Sequence, residues 1–330
     1  MTPEIFIKRQ MNAISVRKLE VVQSLWSGCG EIVRYSVSGV SSISSVILKQ
    51  IQVPAEMSHP RGWSSNHAAE RKIHSYLVEQ NWYETWSSQC DDECRVARCF
   101  GVFSYAEKNQ AYILLEDLDD SGFHVRRNEL TVFEAVLCLQ WLASFHARFI
   151  TRSPNKNWPK GLWEQGTYWH LNTRQDEWNA MPEGCLKSSA RLLSEALENA
   201  TFQTLVHGDA KVANFCFSKK MDKVSAVDFQ YVGKGIGVQD VAYFIGSCLS
   251  ENELELHLDY LLDNYFSELS RCLIDQGESP SLSEEVAKEW HLLFSVAWAD
   301  FHRFIVGWSP NHKKNTSFSQ KITSIGLSRF

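Results

Sequence analysis

His207-Gly208-Asp209-Ala210-Lys211-Val212-Ala213-Asn214 decides how this chain is read, together with a second acid in Val227-Asp228-Phe229-Gln230. Thr204 to Val206 reads as an apolar strand running into the first acid, and Val224 to Val227 as one running into the second. Asp209, Asn214 and Asp228 then fall at strand ends and on the loop between them. An aspartate to take a hydroxyl proton, an asparagine five residues on and a later aspartate for Mg²⁺ form the pattern of phosphoryl transfer. The chemistry accounts for the spacing. ATP is handled as its Mg²⁺ chelate, and Mg²⁺ takes a few protein oxygens beside phosphate oxygens. The Asp228 carboxylate and the Asn214 amide oxygen are the expected ligands. Asp209 is placed to orient and deprotonate an attacking hydroxyl, and Lys211 to offset charge developing on the γ-phosphate. A lone His-Gly-Asp would be read as a turn with capping acids; the full pattern outweighs that reading.

Such chemistry needs further parts, and each has a candidate in the right order. Leu19 to Leu25 and Ile32 to Val37 read as two strands joined by Trp26-Ser27-Gly28-Cys29-Gly30-Glu31. Gly28 and Gly30 would let backbone N–H groups approach phosphate, although the same loop would serve an ordinary hairpin. Lys49 lies inside the β-branched run Ser45 to Ile51. A cation in a buried strand needs a partner, and here it is expected to grip the α- and β-phosphates; on an edge strand it would merely face water. Ala68 to Trp86 reads as a helix with Ile73, Tyr76, Leu77 and Tyr83 on its apolar face. Glu70 and Glu79 flank that face on opposite sides, so periodicity does not choose the lysine's partner. Ala111 to Leu118 reads as the last strand of a small lobe, after which Asp119, Asp120 and Gly122 begin a connector. The backbone of Glu116 and Leu118 would there meet adenine; the plain alternative is a strand and a turn.

Bulk properties narrow the class. The chain has 330 residues, enough for one or two domains with a sizeable core. It is 44% hydrophobic and 22% charged, as ordinary globular proteins are. A net charge of −6 and the lack of a long basic run argue against nucleic acid as a partner. No stretch reaches the roughly 20 apolar residues of a membrane span, and Glu4, Lys8 and Arg9 are unlike a signal peptide. Nine scattered cysteines, an odd number, fit free thiols in a reducing cytoplasm. Cys90, Cys94 and Cys99 cluster, yet no further histidine or cysteine pair completes a zinc site.

The first 115 residues are strand-rich with one clear helix, and helical patterns dominate from Leu130 onward. Leu130 to Ile150, Glu183 to Ala200, Glu251 to Cys272 and Glu284 to Val306 are the expected helices. The expected class is α+β. A small β-rich nucleotide-binding lobe (residues 1–115) precedes a larger helical lobe (116–330) for catalysis and acceptor binding, with the chemistry at their cleft. Trp163, Tyr168, Trp169 and Trp178 crowd one segment, and Trp290, Trp298 and Trp308 come late. Rings of this kind either wall a site for an amine or sterol-like acceptor or fill core between helices.

With these residues in place, the chain resembles the aminoglycoside phosphotransferase and choline kinase-like superfamily, and within it the ecdysteroid-kinase-like branch. The likeness rests on the two motifs quoted first and on Leu142-Ala143-Ser144-Phe145-His146-Ala147, which is similar to the helix motif preceding the catalytic loop in that family. Glu79-Gln80-Asn81-Trp82-Tyr83 resembles the family's acid-then-aromatic-pair helix, which favours Glu79 as partner of Lys49. Asp240-Val241-Ala242 resembles the family's structural aspartate. Many members have histidine where Lys211 stands and Pro-Gly where Val212-Ala213 stands. The resemblance implies a bilobal, protein-kinase-like fold and a cytoplasmic, ATP- and Mg²⁺-dependent phosphotransferase acting on a small-molecule hydroxyl. Members act on aminoglycosides, choline, sterols and other alcohols, so the acceptor stays open. The rival readings are a nucleotide-binding pseudokinase and a protein kinase. The latter lacks an Ala-Pro-Glu segment after Asp228.

Overall fold

The computed structural model describes residues 1–25, 28–53, 66–105, 110–155 and 157–330, leaving aside the side chains of 66–69. Trp26 and Ser27 of the expected glycine loop lie outside the described residues.

A short helix, α1 (Pro3–Met11), begins where the Thr2 side chain accepts from Ile5 N–H and proline takes the first turn. Five strands follow: β1 (Ser15–Ser24), β2 (Gly30–Ser38), β3 (Ser45–Gln52), then, after the helix α2 (Asn66–Asn81), β4 (Cys99–Tyr105) and β5 (Gln110–Glu116). They form one sheet in the order β1-β2-β3-β5-β4, every pair antiparallel. Alternation decides the inner face. Val33, Tyr35 and Val37 of β2 are buried with Val46 and Leu48 of β3, and Phe6 and Ile7 of α1 close over them. Strand β1 extends further upstream than Leu19, and it is exposed at nearly every position because it forms the sheet edge.

These elements belong to one compact unit, made of Met1–Asp91, Arg95–Val125 and Cys216–Val227. It includes most of the two-stranded sheet of β8 (Phe215–Phe217) and β9 (Val224–Ala226), which come later in the chain.

The second unit, Asp92–Cys94, Arg126–Phe215 and Asp228–Phe330, is chiefly helical. Helix α3 (Val132–Arg148) starts at a reciprocal cap between Thr131 and Glu134. After it come β6 (Thr151–Arg152), α4 (Gln175–Ala180), α5 (Cys185–Ser188), α6 (Ala190–Glu198), β7 (Phe202–Val206) and, beyond β8 and β9, β10 (Gly233–Gly235). The unit ends with α7 (Gly237–Cys248), α8 (Glu251–Asp275), α9 (Pro280–Trp308) and α10 (Ser317–Leu327). The single helix expected over Glu183 to Ala200 is instead two, α5 and α6. Ser188 turns its hydroxyl back onto the Cys185 carbonyl at 3.1 Å, a local bond that competes with helix continuation. The other three expected helices correspond to α3, α8 and α9, while α7 and α10 are additional to those expected.

The core beneath the motif loop is aromatic. Trp141 stacks on Phe145 at 5.1 Å, Phe215 meets Trp141 edge-on at 5.6 Å, and the Phe229 ring lies 4.6 Å from the His207 ring. The α+β class is as expected, with strands concentrated early and helices late. Among the described residues no helix is long and apolar enough to cross a membrane.

Candidate active site

All five residues of β7 are buried, and the chain must leave that strand sharply to present Asp209. Gly208 makes the turn at φ +78°, where a Cβ would sit 2.1 Å from the Tyr231 carbonyl oxygen. The turn is pinned by Asp240 on α7. Its Oδ2 accepts from His207 N–H at 2.5 Å and its Oδ1 from Gly208 N–H at 3.0 Å. Asp240 is itself held by His146 of α3, whose Nε2 donates at 3.2 Å while Nδ1 accepts from the Tyr265 hydroxyl at 2.8 Å. Burial pushes the His146 pKa down more strongly than Asp240 raises it, so the imidazole is a neutral strut.

Three donors converge on the Asp209 carboxylate. Lys211 Nζ reaches Oδ2 at 2.8 Å, Asn214 Nδ2 reaches the same oxygen at 3.1 Å, and the Tyr243 hydroxyl donates to Oδ1 at 3.1 Å. Asn214 also donates to the Asp209 carbonyl at 2.8 Å, from a one-turn 3₁₀ segment, Val212–Asn214. Burial pulls the Lys211 pKa down, but the charges of Asp209 and Asp228 outweigh it and the net shift is upward. Burial likewise pushes the Tyr243 pKa well up, reinforced by Asp209, so the phenol keeps its proton. Asp228 is half-buried with φ +68°, a left-handed conformation that a non-glycine residue holds at a cost of about 1–3 kcal/mol.

The donor set fits Mg²⁺. Both Asn214 Nδ2 bonds go to Asp209, which leaves Oδ1 with no donor among the described residues. That oxygen and the Asp228 carboxylate are hard oxygens of the kind Mg²⁺ takes. Among the described residues no cluster of three or more His, Cys, Asp or Glu could hold a metal, and Cys90, Cys94 and Cys99 form none.

In the first unit, Lys49 Nζ meets Glu79 Oε2 at 2.6 Å, both side chains buried. Lys49 lies opposite Ile32 on one side and Ile113 on the other, so its strand is central rather than an edge. Glu70 is exposed. The apolar face expected for α2 needs correcting: Ile73 and Leu77 are 40% and 50% exposed, while Tyr76, Val78, Trp82 and Tyr83 are buried. Gly30 has φ +122°, and a Cβ there would lie 2.0 Å from the Gln50 carbonyl, so close strand approach demands it. At Gly28, with φ +72°, a Cβ would meet nothing within 4 Å among the described residues. The Glu116 carboxylate takes Arg95 Nη2 at 2.6 Å and Arg98 N–H at 3.0 Å, and its own N–H donates to Arg98 O at 2.8 Å. The Leu118 carbonyl accepts from Phe123 N–H at 2.7 Å.

Sequence reading passed over Tyr243. The signal was present: it lies three residues after Asp240, one helical turn along the same face of α7. Of the tryptophans, Trp169, Trp290 and Trp298 are core; Trp290 Nε1 donates to the Phe202 carbonyl at 3.1 Å.

The profile of the ecdysteroid kinase-like family matches residues 45–156 and 166–278, more than half of the chain. No curated protein sequence matches it. Among solved structures it is similar to the choline kinase from Cryptosporidium parvum, at 11% identity over 98% of this chain and 94% of that one, with a TM-score of 0.52. That similarity shows the fold. A microcompartment-associated aminopropanol kinase aligns at 16% identity over 98% and 99% of the two chains, TM-score 0.48. A thermostable mutant of an aminoglycoside phosphotransferase aligns at 12% identity over 99% of each, TM-score 0.45.

Proposed function

The chain belongs to the ecdysteroid kinase-like family, and from that membership we propose that it transfers the γ-phosphate of ATP to the hydroxyl of a small-molecule alcohol, with Mg²⁺ as cofactor. Family and fold together indicate a small-molecule kinase. The observation that supports the finer reading is the Asp209 carboxylate, held by Lys211, Asn214 and Tyr243 beside an Asn214 oxygen with no donor of its own among the described residues.

Asp209 orients the acceptor hydroxyl and takes its proton as the phosphoryl group is transferred. Lys211, paired with Asp209, offsets the charge that develops on the transferred group. Asn214 Oδ1 and the Asp228 carboxylate would hold Mg²⁺, which when bound neutralises the phosphate oxygens. In the first unit, Lys49, oriented by Glu79, serves the α- and β-phosphates, and the backbone at Gly28 and Gly30 the phosphate chain. Leu118 N–H makes no hydrogen bond among the described residues and is available to adenine; Glu116 N–H is already used. Residues 1–115 would bind nucleotide, and residues 116–330 would bind the acceptor and carry the base.

A coupled ADP-release assay across amines, aminoglycosides, sugars and sterols tests the activity. At least one alcohol should stimulate ADP release, and Asp209→Asn should abolish that turnover while ATP still binds. Undiminished turnover in Asp209→Asn would remove the base from this scheme.

A further inference from the structure

The second unit contains a cavity of about 450 Å³, in the range of small-molecule sites. The end of α7, the start of α8, the last third of α9 and the segment before α10 contribute to its walls. Its apolar lining includes Leu130, Cys248, Trp298 and Phe301, and it also takes in Lys314.

Lys314, half-buried, is unlike three other cations of this unit. Arg303 pairs with Asp300 at 2.9 Å, Arg174 with Glu177 at 3.0 Å and Lys211 with Asp209 at 2.8 Å. Lys314 Nζ instead lies over two rings, 4.8 Å from the centre of Tyr243 and 5.2 Å from that of Phe301. Among the described residues no carboxylate is paired with it, and its main chain is fixed by bonds to His312 Nδ1 and from Ser319 Oγ. Burial pulls its pKa down to about 8 despite the attraction of Cys248 and Asp209. Ring faces return only part of the hydration an ammonium gives up.

Two of the three acids that line the same cavity are committed elsewhere. Glu251 Oε1 accepts from Ser317 Oγ at 2.5 Å and from Phe318 N–H at 2.7 Å. Glu253 Oε2 accepts from Ser250 N–H at 2.8 Å and from Ser250 Oγ at 2.7 Å, closing the cap of α8. Glu129 is exposed. Lys313 also lines the cavity but is exposed; Lys314, half-buried and with no carboxylate paired to it among the described residues, is therefore the cation there with most to gain from a ligand's charge. Tyr243 links it to the chemistry, since the ring beneath Lys314 carries the hydroxyl that donates to Asp209.

We propose that this cavity takes the acceptor and that Lys314 selects an alcohol bearing an anionic group, such as a carboxylate, sulfate or phosphate. The inference rests on the kinase reading above and adds the substrate class. The anion replaces lost hydration at Nζ, the apolar walls cover the carbon frame, and the hydroxyl is directed past Tyr243 toward Asp209.

The test uses matched small alcohols, each as carboxylate, primary amide and amine (4-(hydroxymethyl)benzoate and its two counterparts being one set). Binding is followed by ligand-observed NMR on the full chain with Mg·ADP present, and turnover by ADP release. The carboxylates should bind about tenfold tighter than their amides and amines, a charge-assisted preference. Lys314→Met should erase that preference, and Lys314→Arg should keep part of it. In turnover the loss should appear in KM for the acid rather than in kcat. Preference for the amines, no preference, no binding by any set, or a preference that survives in Lys314→Met overturns the proposal. So does an equal fall in kcat for every acceptor, which would place Lys314 on the transferred phosphate instead. The kinase reading fails separately, if Mg·ATP itself does not bind or no alcohol of any charge is phosphorylated.

Discussion

The Tyr243 hydroxyl donates to Oδ1 of Asp209 at 3.1 Å, leaving Oδ2 to Lys211 and Asn214. The Asp209 carboxylate is thus held on both oxygens by groups from its own loop and from α7. Removing the phenol oxygen frees the carboxylate to rotate without emptying the core, since the Tyr243 ring is packed 5.0 Å from Trp169 and 4.9 Å from Phe301. Tyr243→Phe should lower kcat about tenfold, the equivalent of one hydrogen bond of about 1.4 kcal/mol, with little change in KM for ATP. Steady-state kinetics of the two proteins decide it; an unchanged kcat would mean that Tyr243 does not position the base.

Gly208 is a packing requirement as well as a turn. A methyl group there meets the Tyr231 carbonyl at 2.1 Å on a backbone already at φ +78°. Gly208→Ala should therefore cost about 3 kcal/mol or more in urea unfolding, beyond the ordinary penalty of alanine at positive φ. A loss below about 1 kcal/mol would show that the loop relaxes easily.

Asp228 carries its strain in the opposite sense, because its side chain is wanted and its backbone is not. With φ at +68°, Asp228→Gly should raise the unfolding free energy by about 1 kcal/mol while abolishing phosphoryl transfer. Thermal melts paired with ADP-release assays measure both halves. Lower stability in the glycine variant would show that the Asp228 side chain holds the fold and not the reaction.

His146 gives the protein an acid limb. Its folded pKa lies below the unfolded value because it is fully buried, so on acidification the unfolded chain takes up the proton first. Its contribution is complete above the unfolded pKa of about 6.5 and is lost as pH falls from there toward the folded value, by up to about 1.4 kcal/mol per pH unit. His302, also depressed by burial, adds in the same direction. Urea unfolding between about pH 8 and about pH 5 should show the decline, and His146→Gln should flatten it by one proton's worth. An equal slope in wild type and variant would mean that His146 is charged in the folded state.

Much of this arrangement was legible in the residues. The loop from His207 to Asn214 and the acid Asp228 were found because the chemistry prescribes their types and spacing. Lys49 with Glu79 was legible only in part. The lysine announced itself as a cation in an apolar run, but helical periodicity left Glu70 equally placed until the family pattern favoured Glu79. The apolar face of α2 was misjudged because Ile73 and Leu77 are apolar yet exposed, and the buried side carries Ser75, Glu79 and Gln80, polar groups that periodicity counts as outward. The break at Ser188 and Ser189 left no trace in the periodicity, since one turn on either side keeps the pattern. Lys314 was invisible for another reason. Lys314 lies on the segment between α9 and α10, its neighbours Tyr243 and Phe301 come from two helices, and only the tertiary fold brings them beneath it.

The central claim is that Asp209, Asn214 and Asp228 serve a single magnesium nucleotide, and calorimetric titration with a non-hydrolysable ATP analogue, with and without Mg²⁺, tests it most directly. Wild type should bind the analogue about tenfold or more tightly when Mg²⁺ is present; Asp228→Ala should lose that dependence, and Asp209→Asn should keep it. Binding that ignores Mg²⁺ in the wild type, or that keeps its full Mg²⁺ dependence in Asp228→Ala, would contradict it.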